Sequence, residues 1–226
     1  MPMTAFPFWT KLAVRRMARR RLARDNRATV LIEMAFCIPL LVLLGFGGVE
    51  MANLALVNTR ISQISLSAAD NASRIAFGTN MSLPQVRELD INEVFTGAEE
   101  QARGLNLRGR GRIVLSSLER NADGGQTIKW QRCYGDLPVQ SLYGPAGTGA
   151  TGTGFPGMGP VGKRVVAVQG TAVMVVELTY TYQPIAYGSW LGPKTIRSEA
   201  AYNVREGRDL TRVYPSAGVT PSLCTT

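Results

Sequence analysis

The chain has 226 residues, of which 25 are Lys or Arg, 16 are Asp or Glu, three are Cys and none is His, for a formal net charge of +9. Without histidine the usual zinc ligand sets and His-based catalytic triads cannot be built, and no pair of carboxylates is singled out by spacing. The composition therefore argues against an enzyme and implies no cofactor or metal, and three cysteines are too few for a disulfide scaffold.

Residues 1–27 carry Lys11, Arg15, Arg16, Arg19, Arg20, Arg21, Arg24 and Arg27 against one acid, Asp25, so seven of the nine excess positive charges lie in one short tail. Such a tail can bind nucleic acid. Beside a membrane span, however, Lys and Arg are held on the cytoplasmic side and set orientation. The residues after Arg27 hold seventeen basic and fifteen acidic side chains, a near balance that does not indicate a nucleic-acid partner.

Residues 28–57, ATVLIEMAFCIPLLVLLGFGGVEMANLALV, form the dominant apolar stretch, and the sixteen residues from Met34 to Val49 carry no charge. As a helix the run is long enough to cross a bilayer. Glu33 and Glu50 bracket it; at about 1.5 Å rise per residue they stand roughly 25 Å apart, so each is expected near one interface. Pro39 removes a backbone donor and is expected to kink the helix. Gly45, Gly48 and Ala52 recur at offsets of three and four and offer one smooth face to a second helix, although Gly is also frequent in ordinary lipid-facing segments. Cys37, inside the run, reads as a small apolar residue. A cleaved secretory signal fits less well, because the run begins late, is too long and lacks a small-x-small pattern followed by a change of composition.

The junction of tail and span reads Arg27-Ala28-Thr29-Val30-Leu31-Ile32-Glu33-Met34. A carboxylate inside a membrane helix is normally paired or functional; near the edge, Glu33 has the alternative of snorkelling toward water or Arg27. A small residue after a basic run, followed five positions on by a lone acid in an apolar helix start, resembles the processing site of type IV pilin-like proteins. The continuation through Ala35 and Phe36 to Pro39 and Leu40–Leu44 is similar to the TadE-like branch, the pseudopilins of Flp/Tad pilus assembly. Ala28 stands where that family usually has Gly, and Met34 where it usually has Phe or Tyr. The resemblance implies that a prepilin peptidase cuts after Ala28, that Thr29 becomes the new N-terminus, and that Glu33 is the family's glutamate, neutralised by a neighbouring subunit's terminus during assembly.

Beyond the span, residues 58–76 carry Ile61, Ile64, Ala68 and Ile75 among polar residues and are expected to continue the same helix, with Gly78 as its stop. Ser82-Leu83-Pro84-Gln85 reads as a capping box opening a second helix to about Ala102, ended by Gly104. Gly109–Arg112 is expected to be a flexible basic turn before a strand over Ile113–Leu118. Asn121–Gly125 supplies a hairpin turn, and Thr127–Arg132 a strand with Ile128 and Trp130 on one face. Ala172–Tyr182 alternates cleanly, with Ala172, Met174, Val176, Leu178, Tyr180 and Tyr182 on one side, and Thr195–Val204 alternates again. Asn71-Ala72-Ser73 and Asn80-Met81-Ser82 match glycosylation acceptors, a motif common by chance.

The Gly- and Pro-dense loop 143–162 contains two nucleotide-binding spellings. Gly147–Gly152 reads GxGxxG, but no helix is expected to start there; Gly157–Lys163 reads GxxxxGK, but Arg164 replaces the metal-holding hydroxyl and Pro160 removes a cradling N–H. The loop reads better as mobile or as a contact surface. Cys133 and Cys224 lie in the head, where an oxidising compartment would let them pair; two free thiols are the alternative.

These readings divide the chain into a basic cytoplasmic leader, 1–28, a transmembrane helix, 29–57, and an extracytoplasmic head, 58–226. The head is expected to be α+β, with the long helix against a small antiparallel sheet. With the resemblance, they imply a single-pass inner-membrane protein with a periplasmic head, made as a precursor. It would act in assembly of a Tad pilus and partner the membrane, a prepilin peptidase and other pilin or assembly subunits through the N-terminal helix. The alternative is an uncleaved, membrane-anchored periplasmic scaffolding or binding protein.

Overall fold

An apolar run in which only Pro39 lacks a backbone donor folds as one helix, α1 (Arg27–Ser73), 47 residues long. The structure, a computed structural model, describes residues 27–75, 78, 83–185, 192–205 and 207–224, without the side chains of residues 27 and 28. The basic leader lies almost wholly outside those residues. The chain divides into two units, Met1–Met51 and Ala52–Thr226. In the first, every residue from Thr29 to Phe46 is exposed. Among the described residues, Thr29–Ser73 is the one helix long and apolar enough to cross a membrane, which is compatible with a single-pass anchor.

The second unit is the α+β head. It adds α2 (Glu88–Gln101), the single turn α3 (Leu107–Arg110) and four strands, β1 (Gly111–Arg120), β2 (Gln126–Tyr134), β3 (Ala172–Tyr182) and β4 (Lys194–Asn203). The strands form one antiparallel sheet in the order β2-β1-β3-β4. Ile61, Ile64, Ala68, Ala69 and Ala72 of α1 and Ile91, Val94, Phe95 and Ala98 of α2 pack on one face of it, against Ile113, Leu115, Met174, Val176, Leu178, Ile196 and Ala200. The alanines let α1 approach closely, and each larger side chain removed from water contributes about 1.5–3 kcal/mol.

Four local expectations are corrected. Helix α1 stops at Ser73 rather than near Gly78, because the Arg208 guanidinium donates to the carbonyls of Ala72 and Ile75, both at 3.3 Å, and satisfies helix-end acceptors. Helix α2 starts at Glu88, not after Ser82, a residue outside those described. Residues 84–88 are instead drawn out along the C-terminal segment: Asp209 N–H donates to Pro84 O, Tyr214 N–H to Val86 O and Glu88 N–H to Tyr214 O. The N-terminal acid is then Asp90, whose Oδ2 accepts from Arg87 N–H at 3.1 Å. The basic stretch 109–112 is not a free turn: Arg110 closes α3, and Gly111 and Arg112 open β1 opposite Tyr180 and Thr179.

The fourth correction concerns Ile128 and Trp130, which do not share a face. The β1–β2 register slips between Ser117, opposite Trp130, and Leu118, opposite Ile128, leaving Lys129 as the extra residue of a bulge. Trp130 packs against the helix-side core, while Ile128 joins a second cluster on the other face with Leu118, Met158, Ala167, Val173 and Val175. Met158 and Ala167 come from the connection between β2 and β3, so the Gly- and Pro-dense loop is a strap folded over the sheet.

Candidate functional site

Thr29 and Glu33 are exposed, one helical turn apart on α1 and therefore on one side of it; Ala28 is in the same helix. Of the two glutamates bracketing the apolar run, Glu33 is exposed and Glu50 is buried. Gly45, Gly48 and Ala52 are all exposed, and a Cβ added at Gly45 or Gly48 would meet nothing within 4 Å. Cys37 is a free, exposed thiol on the same helix. Exposed apolar side chains around a single acid, with a small-residue face, are compatible with helix-to-helix association in a membrane.

The head offers a second region, the far face of the sheet, which the strap turns from a solvated surface into a layered one. Strap glycines do local work. Gly147 N–H donates to Ile128 O at 2.7 Å and Thr148 O accepts from Ile128 N–H at 2.9 Å, so this part of the strap runs along the outer edge of β2. Gly149 has φ +72°, and a Cβ there would sit 2.3 Å from Gln126 O, so only glycine passes. Met158 and Val165 exchange both backbone hydrogen bonds, closing the turn that contains Gly157–Lys163. Neither nucleotide-binding spelling opens a helix, and the donors at Gly147 and Met158 are taken by the fold.

Polar side chains fasten the strap. Glu177, alternating outward on β3 and only 6% exposed, accepts from Ser141 Oγ at 2.5 Å and from Leu142 N–H at 2.8 Å. Burial raises its pKa from the ordinary glutamate value, opposed by those two hydrogen bonds and reinforced by Glu199. Tyr143 O–H donates to Glu199 at 2.7 Å, and burial together with that carboxylate raises the phenol's pKa.

Between strap and sheet lies a cavity of about 280 Å³, walled by Val114, Pro138, Val139 and Pro145, with Arg112 and Gln131 as polar lining. Arg112 Nη1 donates to Gly135 O at 2.6 Å, and Gln131 Nε2 donates to Ser116 Oγ and Gly144 O. Cys133 and Cys224 close one end of it. The two are joined by a disulfide with their Cα atoms 4.8 Å apart, and Cys133 N–H donates to Ser222 O at 2.8 Å. The C-terminal segment is held further by Asn92, which donates to Thr220 O and accepts from Ser222 Oγ.

At the end of α1 is a buried charged cluster that sequence reading did not single out. Besides the two carbonyls, Arg208 donates to Met174 Sδ at 3.1 Å, and its pKa is pushed down by burial to about 10 against the pull of Glu119. Glu119 accepts from Ser117 Oγ at 2.8 Å, and burial raises its pKa. Among the described residues no group of three or more His, Cys, Asp or Glu could hold a metal ion.

The chain matches no family model, no curated protein and no solved structure. Its function therefore rests on the residues themselves. Glu177 and Glu199 carried a faint signal, as acids on the outward positions of otherwise well-patterned strands. Arg208 carried none, since its role depends on where a distant helix ends.

Proposed function

We propose that the protein is a membrane-anchored, pilin-like assembly component of the TadE type, made as a precursor and acting in a Tad-type pilus or its assembly machinery. The observation that carries this reading is the division of labour within α1: an exposed apolar part bearing Glu33 four residues after Thr29, and a part that supplies Ile61, Ile64, Ala68, Ala69 and Ala72 to the core of an α+β head. A subunit that must sit in a bilayer before assembly and pack helix against helix afterwards needs such an element. The +7 tail would keep the leader cytoplasmic and send the head across the membrane. Cleavage after Ala28 would remove charges that tie the helix to the cytoplasmic surface. Glu33 would then pair with an N-terminal ammonium, since a carboxylate left unpaired in an apolar bundle costs several kcal/mol.

Sequencing the N-terminus of the membrane-bound protein tests this. A chain beginning at Thr29 supports the reading. A chain still beginning at Met1, with the peptidase present and pili being made, transfers support to the second reading, an uncleaved periplasmic scaffolding or binding protein. That reading is favoured by one feature, the cavity under the strap.

A further inference from the structure

The two edges of the sheet are treated differently. The outer edge of β2 is occupied at Ile128 by residues 147–148 and at Cys133 by Ser222. Among the described residues nothing hydrogen-bonds to the outer edge of β4. Val204 N–H donates to Ala172 O, which continues the β3–β4 register and turns the backbone groups of even-numbered β4 residues toward β3. The N–H and C=O groups of Thr195, Arg197, Glu199 and Ala201 therefore point away from the sheet. An open edge this long is a template for another strand unless its side chains forbid one.

The side chains select the partner. On the far face of the sheet β4 carries Arg197 and Glu199, both exposed, and on the helix-side face the small or apolar Ile196, Ser198 and Ala200. A foreign strand would meet both charges without regard to sign. A second β4, running antiparallel about a two-fold axis at Ser198, sets each Arg197 opposite a Glu199 and each Ile196 opposite an Ala200. Shifting that register by two residues either way, the smallest slip that keeps the faces, sets Arg197 against Arg197 or Glu199 against Glu199, and like charges directly opposite are destabilising. The complementary register also aligns residues whose backbone groups both point outward, so the pairs 195 with 201 and 197 with 199 exchange hydrogen bonds.

We propose that β4 is a homotypic interface: two copies of the chain join their sheets edge to edge, in the register that pairs Arg197 with Glu199 of the other copy. The contact is isologous and closes on itself.

The test uses the full chain in detergent micelles, with copy-to-copy association read by energy transfer between labelled populations. Arg197→Glu and Glu199→Arg should each weaken self-association at least about tenfold, because each alone creates two like-charge pairs. Mixed together, the two variants should associate as well as the wild type, since every pair is again of opposite sign. Single variants that associate like the wild type, or a mixture no better than either alone, would overturn the proposal. A second measurement does not depend on charge. In a Cys37→Ser background, Ser198→Cys should cross-link copy to copy on mild oxidation. Thr195→Cys should not, because its counterpart lies six positions away, about 20 Å. Equal cross-linking at both positions, or none at 198, also sinks it.

Discussion

Glu177 and Glu199 stand directly opposite each other on β3 and β4, on the face the strap covers, and each is held by a different strap residue. Glu177 is buried, and the carboxylate opposite repels it as well, so its folded-state pKa lies above the ordinary value of 4.5. A carboxyl group raised in this way contributes stability that is fully present below its unfolded pKa and is lost as pH rises through its folded pKa.

Glu177→Gln isolates that contribution, since glutamine keeps an acceptor for Leu142 N–H and offers a donor to Ser141. The variant and the wild type should match in acid, below the ordinary glutamate range. The variant should become the more stable as pH rises through the raised value. Denaturant unfolding of both proteins across pH 4 to 8 checks this; curves that stay parallel would show that Glu177 does not titrate above the ordinary range.

Arg208 is 6% exposed, and Glu119, also buried, interacts with it electrostatically. Arg208→Met should cost about 3 kcal/mol, because it uncaps the end of α1 and leaves Glu119 without that cation. Adding Glu119→Gln should recover part of the loss, as glutamine keeps an acceptor for Ser117. If the two changes are additive in a double-mutant cycle, the two groups are not coupled.

The disulfide spans 91 residues. In the chain-entropy model a loop of that size stabilises by up to roughly 4 to 5 kcal/mol, often less in practice. Reduction should lower the unfolding midpoint of the wild type, and Cys224→Ser should abolish the difference between oxidised and reduced samples. A midpoint in the variant that still responds to reductant would place the effect elsewhere.

Glu33→Gln keeps the size of the side chain and removes its charge. On the proposed function the variant should reach the membrane in normal amount but assemble poorly, as seen by fractionation and by counting surface filaments. Replacing Ala28 by a bulky residue should instead leave the leader attached. Normal filament numbers with Glu33→Gln would argue that the carboxylate only snorkels.

Much of the head was legible because single strands announce themselves. Ala172–Tyr182 alternates over its whole length, and its bounds agree with β3. What escaped reading depended on pairing between distant segments. Nothing near Lys129 marks it as a bulge; the register with β1 does, and it sends Ile128 and Trp130 to opposite cores. The start of α2 was set by Tyr214, 126 residues beyond the Glu88 N–H that donates to its carbonyl. The strap's glycines looked like slack, yet several serve close backbone approaches, and Met158, fully buried, supplies the apolar anchor.

The link from Cys133 to Cys224 also sets the route of mechanical load. Tension applied between α1 and the chain at Cys224 passes along the backbone to Cys133 and then crosses the sulfur bridge. It bypasses residues 134–223, including all of β3 and β4. Those strands would bear no pull of their own while the bridge is intact. Rupture of the oxidised head under force should release roughly 300 Å less chain than rupture of the reduced one, at the reach of about 3.3–3.6 Å per extended residue.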